Sequence, residues 1–185
     1  MNIHQLSVSY DPLEDRILWR INTTCRQEIE VWLTRRMTAN LMPHLPQVAA
    51  EQLALSAPIE TPLLTEQDKR VFADFKQQES LHQSDFSTPY KDGQTKLLEG
   101  GPLVLTDVQI RVQPDGMTLV LLQERGRTDQ PGRTLELRLK PHLIHGWMHL
   151  LQEVWPKTGW SEPPAMPDNL QPQHLATGAT KRLLN

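Results

Sequence analysis

The chain has 185 residues, a formal net charge of -3 and one cysteine, Cys25. That length suits one domain, or two small halves sharing a core, and a single cysteine excludes an intrachain disulfide framework. The longest apolar run, Met117 to Leu122, itself interrupted by Thr118, falls far short of the roughly 20 residues a membrane-crossing helix needs, so no membrane partner is expected.

Strand-like alternation begins at once. Leu6, Val8 and Tyr10 alternate with Ser7 and Ser9, the period of a strand with one buried face. No basic stretch leads into an apolar one before it, so a secretory signal is not expected, and with its lone thiol the chain reads as cytoplasmic. Asp11 to Asp15 forms a polar turn around Pro12. Ile17, Trp19 and Ile21 make a second strand, and Asn22 to Arg26 turns the chain into Ile29, Val31 and Leu33. Thr34 is placed to cap a helix whose apolar stripe is Met37, Leu41, Leu45 and Val48. Pro43 and Pro46 remove backbone donors inside that stripe, which predicts a break near Met42 and a second helical piece from Pro46 to about Leu55.

A segment of different character follows. Pro58 and Pro62 mark a linker, Thr65 can cap a helix near 65–84 carrying Val71, Phe72 and Phe75, and Ser87 to Gly101 reads as a polar loop. Alternation then resumes at Val108, Ile110 and Val112, followed by the turn Pro114-Asp115-Gly116. Met117 to Leu122 is apolar on both faces, so its second face needs cover. Arg125 to Arg133 is a long hairpin loop. Leu135, Leu137 and Leu139 form the next strand, Pro141 starts a helix, and Pro156 ends it near Trp155. Residues 161–185 have few large apolar residues and no period, and read as a flexible tail.

The chain therefore says nearly the same thing twice. Ile29 to Leu33 with Met37, Leu41, Leu45 and Val48 matches Leu135 to Leu139 with Leu143, Trp147, Leu151 and Val154 at constant spacing. The expected fold class is α+β: two tandem βββα repeats with pseudo-twofold symmetry, a mostly antiparallel sheet or pair of sheets, and helices covering the strands. The expected organisation is a first repeat over 1–55, a linker over 56–101, a second repeat over 102–160 and the tail, with both repeats in one domain.

Chemistry-bearing residues are sparse. His142, His145 and His149 fall on one face of the second helix with Glu153, opposite Leu143, Trp147, Leu150, Leu151 and Val154, and read as a polar face. His145 and His149 at i, i+4 are the best metal-chelating pair, but no motif supplies a third ligand, so the expectation is no metal and no cofactor. Glu28 and Glu30 read as a solvated stripe, and Cys25 as an incidental thiol. No Gly-x-Ser-x-Gly elbow, phosphate loop or His-Glu-x-x-His is present, so no enzyme is expected. Arg20, Trp32, Arg125, Arg127, Arg133 and Arg138 form a candidate binding surface, where an aromatic stacks on unpaired bases and arginines meet phosphate. Neighbouring acids such as Glu124, Asp129 and Glu136 dilute that charge.

The duplicated topology is similar to that of the Whirly and PUR-repeat proteins. The resemblance lies in strand order rather than motif and covers the two repeats, with three strands per unit here against four in those families. It implies binding of single-stranded nucleic acid as one function. The other, favoured by the doubly apolar strand, by Trp32 and by Phe72 and Phe75, is a non-catalytic protein-interaction module that forms a homodimer.

Overall fold

The structure, a computed structural model, describes residues 1, 3–56, 88–160 and 181–183. Its first sheet begins as an antiparallel meander of β1 (Ile3–Asp11), β2 (Arg16–Thr23) and β3 (Gln27–Leu33). Alternation sets the register: Leu6, Val8 and Tyr10 lie opposite Ile21, Trp19 and Ile17, which lie opposite Ile29, Val31 and Leu33. A one-residue slip would turn this whole apolar set to the other face. The Thr34 hydroxyl then accepts from the Met37 N–H at 3.2 Å, capping α1 (Arg35–Leu41). Pro43 ends α1 in a 3-10 turn over Met42–His44, and α2 (Leu45–Ser56) follows. The helix break expected near Met42 is thus present.

Two short strands, β4 (Thr95–Lys96) and β5 (Leu103–Val104), pair in parallel with β3. At the next residues the chain changes sheets. The Leu105 N–H donates to the Trp32 carbonyl and the Thr106 N–H to the Gln123 carbonyl, each at 2.9 Å, so successive amides bond to opposite neighbours. The second meander is β6 (Asp107–Val112), β7 (Thr118–Glu124) and β8 (Arg133–Leu139), with β9 (Lys181–Leu183) antiparallel on the other edge of β6. Pro141 opens α3 (Pro141–Val154), and Pro156 sits in the 3-10 turn Trp155–Thr158 that closes it. The predicted helix near 65–84 lies outside the described residues, as does the tail over 161–180; Lys181–Leu183 within the tail segment is the strand β9.

The internal repeat is visible as matching register. Ile17, Trp19 and Ile21 oppose Leu33, Val31 and Ile29 as Thr118, Val120 and Leu122 oppose Leu139, Leu137 and Leu135, and all twelve are buried. The helices are exchanged between the units. α3, which follows the second sheet, packs on β1 of the first, while α2 packs on β6 of the second and on α3. At the centre, Trp19 of β2 and Trp147 of α3 stack with ring centroids 4.1 Å apart and planes 13° apart, both fully buried. The buried Gln52 amide of α2 donates to the Gly116 carbonyl at 2.8 Å, fixing the reciprocal contact. A second aromatic cluster pins the end of the second unit to the first. Trp160 packs edge-on against Tyr10 and Trp155, and its Nε1 donates to Asp15 at 2.7 Å.

Candidate binding surface

With the helices on the inner faces, the outer face of the first sheet carries Gln5, Ser7 and Ser9, then Leu18, Arg20 and Asn22, then Glu28, Glu30 and Trp32. Part of this face is roofed by the chain entering β4, residues 90–94, which forms a strap across it. Glu28 is the anchor: its carboxylate accepts from the Lys96 ammonium, from the Gly93 N–H at 2.8 Å and from the Tyr90 hydroxyl at 3.3 Å. The Asn22 amide donates to the Lys91 carbonyl at 2.8 Å, and Arg20 pairs with Asp92 at 2.8 Å while lying over the Tyr90 ring. Gly93 is required here by space, since a Cβ would come within 2.6 Å of the Glu28 Cβ. Burial pushes the Glu28 carboxyl up, but the Lys96 ammonium and the Gly93 amide outweigh it and hold it below its ordinary value. The Tyr90 hydroxyl is raised by burial and by the Glu28 charge. The expectation of a solvated Glu28–Glu30 stripe is therefore corrected: Glu28 is 2% exposed and serves as a clamp.

The six candidate binding residues divide into those already engaged and those open to a partner. Arg20 is engaged by Asp92 and Tyr90. Arg133 pairs with Glu124 and donates to the carbonyls of Glu99, Gly101 and Pro102 at 2.8–2.9 Å, so it ties the connection before β5 to β8. Arg138 pairs with Asp115 at 3.0 Å, both about half exposed, a contact worth little in water. Arg125 and Arg127 are exposed on the β7–β8 hairpin, and no carboxylate among the described residues pairs with either. Trp32 is half-buried, unlike the other four tryptophans, which are buried. It lies in a row with Leu18 and Val104, and Val104 adjoins the hairpin through its N–H to the Glu124 carboxylate at 3.2 Å. The arginines do not form one patch: Arg20 lies beneath the strap, Arg125 and Arg127 at the hairpin, and Arg138 beside the opposite turn of β7.

On the second sheet, the outward Leu119 and Leu121 are half-buried, lying between Arg111 and Arg138 and between Gln109 and Glu136 respectively. Long polar side chains thus give β7 the cover that its second face needs. The histidine face on α3 is also corrected. His145 is 8% exposed, not solvent-facing, because α3 packs against both β1 and α2; burial lowers its pKa and keeps the imidazole neutral. His142 is lowered by burial and by Lys140, and His149 pairs with Glu153 at 3.5 Å. No group of three metal-ligating side chains occurs among the described residues. Cys25 is exposed in the β2–β3 turn.

A cleft of about 490 Å³ opens at the end of the first sheet, lined by His4, Asn22, Thr23, Thr24, Arg26, Lys91, Asp92 and Gln94. It lies between the start of β1, the β2–β3 turn and the strap. No helix among the described residues is long and apolar enough to cross a membrane. Comparison of the chain with protein-family models, with curated proteins and with solved structures returned no match.

Proposed function

We propose that the protein is a non-catalytic cytoplasmic module that associates with a second copy of itself by joining sheet edges. The observation supporting this reading is the outer edge of β1. Among the described residues nothing pairs with it, and over its nine residues the only formal charge is Asp11 at the end. Exposed edges are normally blunted by charge, proline or shortness. The outer edge of the second sheet, β8, follows that rule, carrying Arg133, Glu136 and Arg138 in seven residues. Two β1 strands related by a two-fold would pair antiparallel about Ser7 and continue the first sheet into its copy. The test is light scattering of the full chain and of Ser7→Glu. Within its own sheet the new carboxylate faces Arg20, so folding is retained, whereas across the two-fold it faces itself. A wild-type dimer that becomes monomeric in Ser7→Glu is expected. A wild-type monomer at high concentration sinks the proposal.

A second reading, binding of single-stranded nucleic acid, is favoured by the half-exposed Trp32 in a row that leads to the unengaged Arg125 and Arg127. Stacking on one aromatic with two nearby cations is the minimum for such a contact. Its test is fluorescence anisotropy of a labelled oligonucleotide at two salt concentrations. Affinity independent of salt, or unchanged in Arg125→Ala/Arg127→Ala, rules it out.

A further inference from the structure

The cleft at the end of the first sheet gathers basic groups that form no ion pair among the described residues. Arg26, Lys91 and His4 line it, and no carboxylate among the described residues pairs with any of them. The one acid in the lining, Asp92, is already engaged by Arg20 at 2.8 Å. Lys96, further along the same segment, is likewise closed by Glu28 and Glu30. Unspent positive charge therefore converges on one concave place, beside the exposed Thr24 hydroxyl and the Gln94 amide. A low-dielectric wall behind such a cleft strengthens its field toward an anion.

The backbone adds an independent observation. Arg26 has φ +61°, a left-handed conformation that glycine adopts without strain and that a long side chain rarely takes. Its N–H bonds to the Thr23 carbonyl and its own carbonyl accepts from Gln94, so the conformation is fixed from both sides of the cleft. A turn built only for geometry has no need of an arginine there. Its guanidinium is what that position adds to the cleft, and a guanidinium offers paired donors in the geometry of an oxyanion.

We infer that this cleft binds a small oxyanion-bearing molecule, with Arg26 and Lys91 as its principal contacts and His4 and Thr24 beside them. A volume of about 490 Å³ matches a small metabolite rather than a bare ion. This site is separate from the β1 edge and stands whether or not the chain dimerises.

The experiment is isothermal titration of the full-length protein with inorganic phosphate, with malonate as the carboxylate arm, at constant ionic strength. The His4 ring is followed by NMR as a local reporter. Saturable binding of either anion is expected, with the His4 signal moving at the same midpoint, and the tighter of the two assigns the ligand's anionic group. Arg26→Gly relieves the backbone and Lys91→Met keeps the strap's main-chain contacts, so both variants fold. Each is expected to weaken binding at least tenfold, while Lys157→Ala, at an exposed lysine of the turn after α3, leaves it unchanged. Absence of saturable binding by both anions overturns the inference, as does equal weakening by Lys157→Ala. An oligonucleotide that binds where phosphate and malonate do not also overturns it.

Discussion

Replacing Glu28 tests whether the strap over the first sheet is held by one buried carboxylate. Three groups converge on a side chain that is 2% exposed: the Lys96 ammonium, the Gly93 N–H and the Tyr90 hydroxyl. Hydrogen bonds to a charged group contribute roughly 1.5–3 kcal/mol each before burial of the charge is subtracted, and that burial costs several kcal/mol. Lys96 is 55% exposed and returns to water when its partner is removed, so the loss falls below that of a fully buried pair. Glu28→Ala should therefore cost about 2–3 kcal/mol, and Glu28→Gln, which keeps an acceptor oxygen, about 1 kcal/mol. Urea unfolding at neutral pH measures both. Because the folded carboxyl sits below its ordinary 4.5, its contribution is complete above that value and is lost as pH falls through the folded pKa. The lead of the wild type over Glu28→Gln should thus hold through neutral pH and shrink below about pH 4.5. The Gln94 and Leu97 amides, which bond to the carbonyls of Arg26 and Glu28, should exchange faster in Glu28→Ala. An alanine variant within about 0.5 kcal/mol of wild type, with unchanged exchange at those amides, would falsify the clamp.

Two further outcomes follow from the packing and backbone of the molecule. Trp147→Ala should lower stability by roughly 3–5 kcal/mol and abolish the near-ultraviolet dichroism of the stacked pair; equal dichroism in mutant and wild type refutes the stack with Trp19. Arg26→Gly should raise stability by up to about 1 kcal/mol in urea, because glycine adopts positive φ without the clash that a Cβ makes. A drop of that size would mean that the Arg26 side chain supports the fold, contrary to its assignment to the cleft.

Much of the architecture was legible because it rests on period. Alternation at Leu6–Tyr10 and Ile17–Ile21, the Thr34 cap, the break at Pro43 and the helix start at Pro141 are all local rules that the structure obeys. What was not legible is which sheet each helix covers, since an apolar stripe specifies burial but no partner. The inward His145 follows from that same gap: a helix packed on two sides has a wider buried arc than its own pattern implies. The strap was hidden for another reason. Tyr90, Gly93 and Lys96 lie in a polar stretch with no period, and their meeting with Glu28 depends on contacts more than sixty residues apart. Gly93 alone carried a signal, a glycine followed by β4, which marks close backbone approach. The fates of Arg20, Arg133 and Arg138 were equally invisible, because charge balance along the chain says nothing of pairing in space.

The exchange of helices makes the two halves mutually dependent. A polypeptide ending after α2 would possess a sheet whose apolar side, with Trp19 at its middle, lacks its lid, and a helix with nowhere to lie. Such a fragment would find the missing cover by trading helices with an identical fragment, in a swapped homodimer. Joining two such copies in one chain would turn an encounter between molecules into a contact within one; here the second unit carries the longer β7–β8 hairpin.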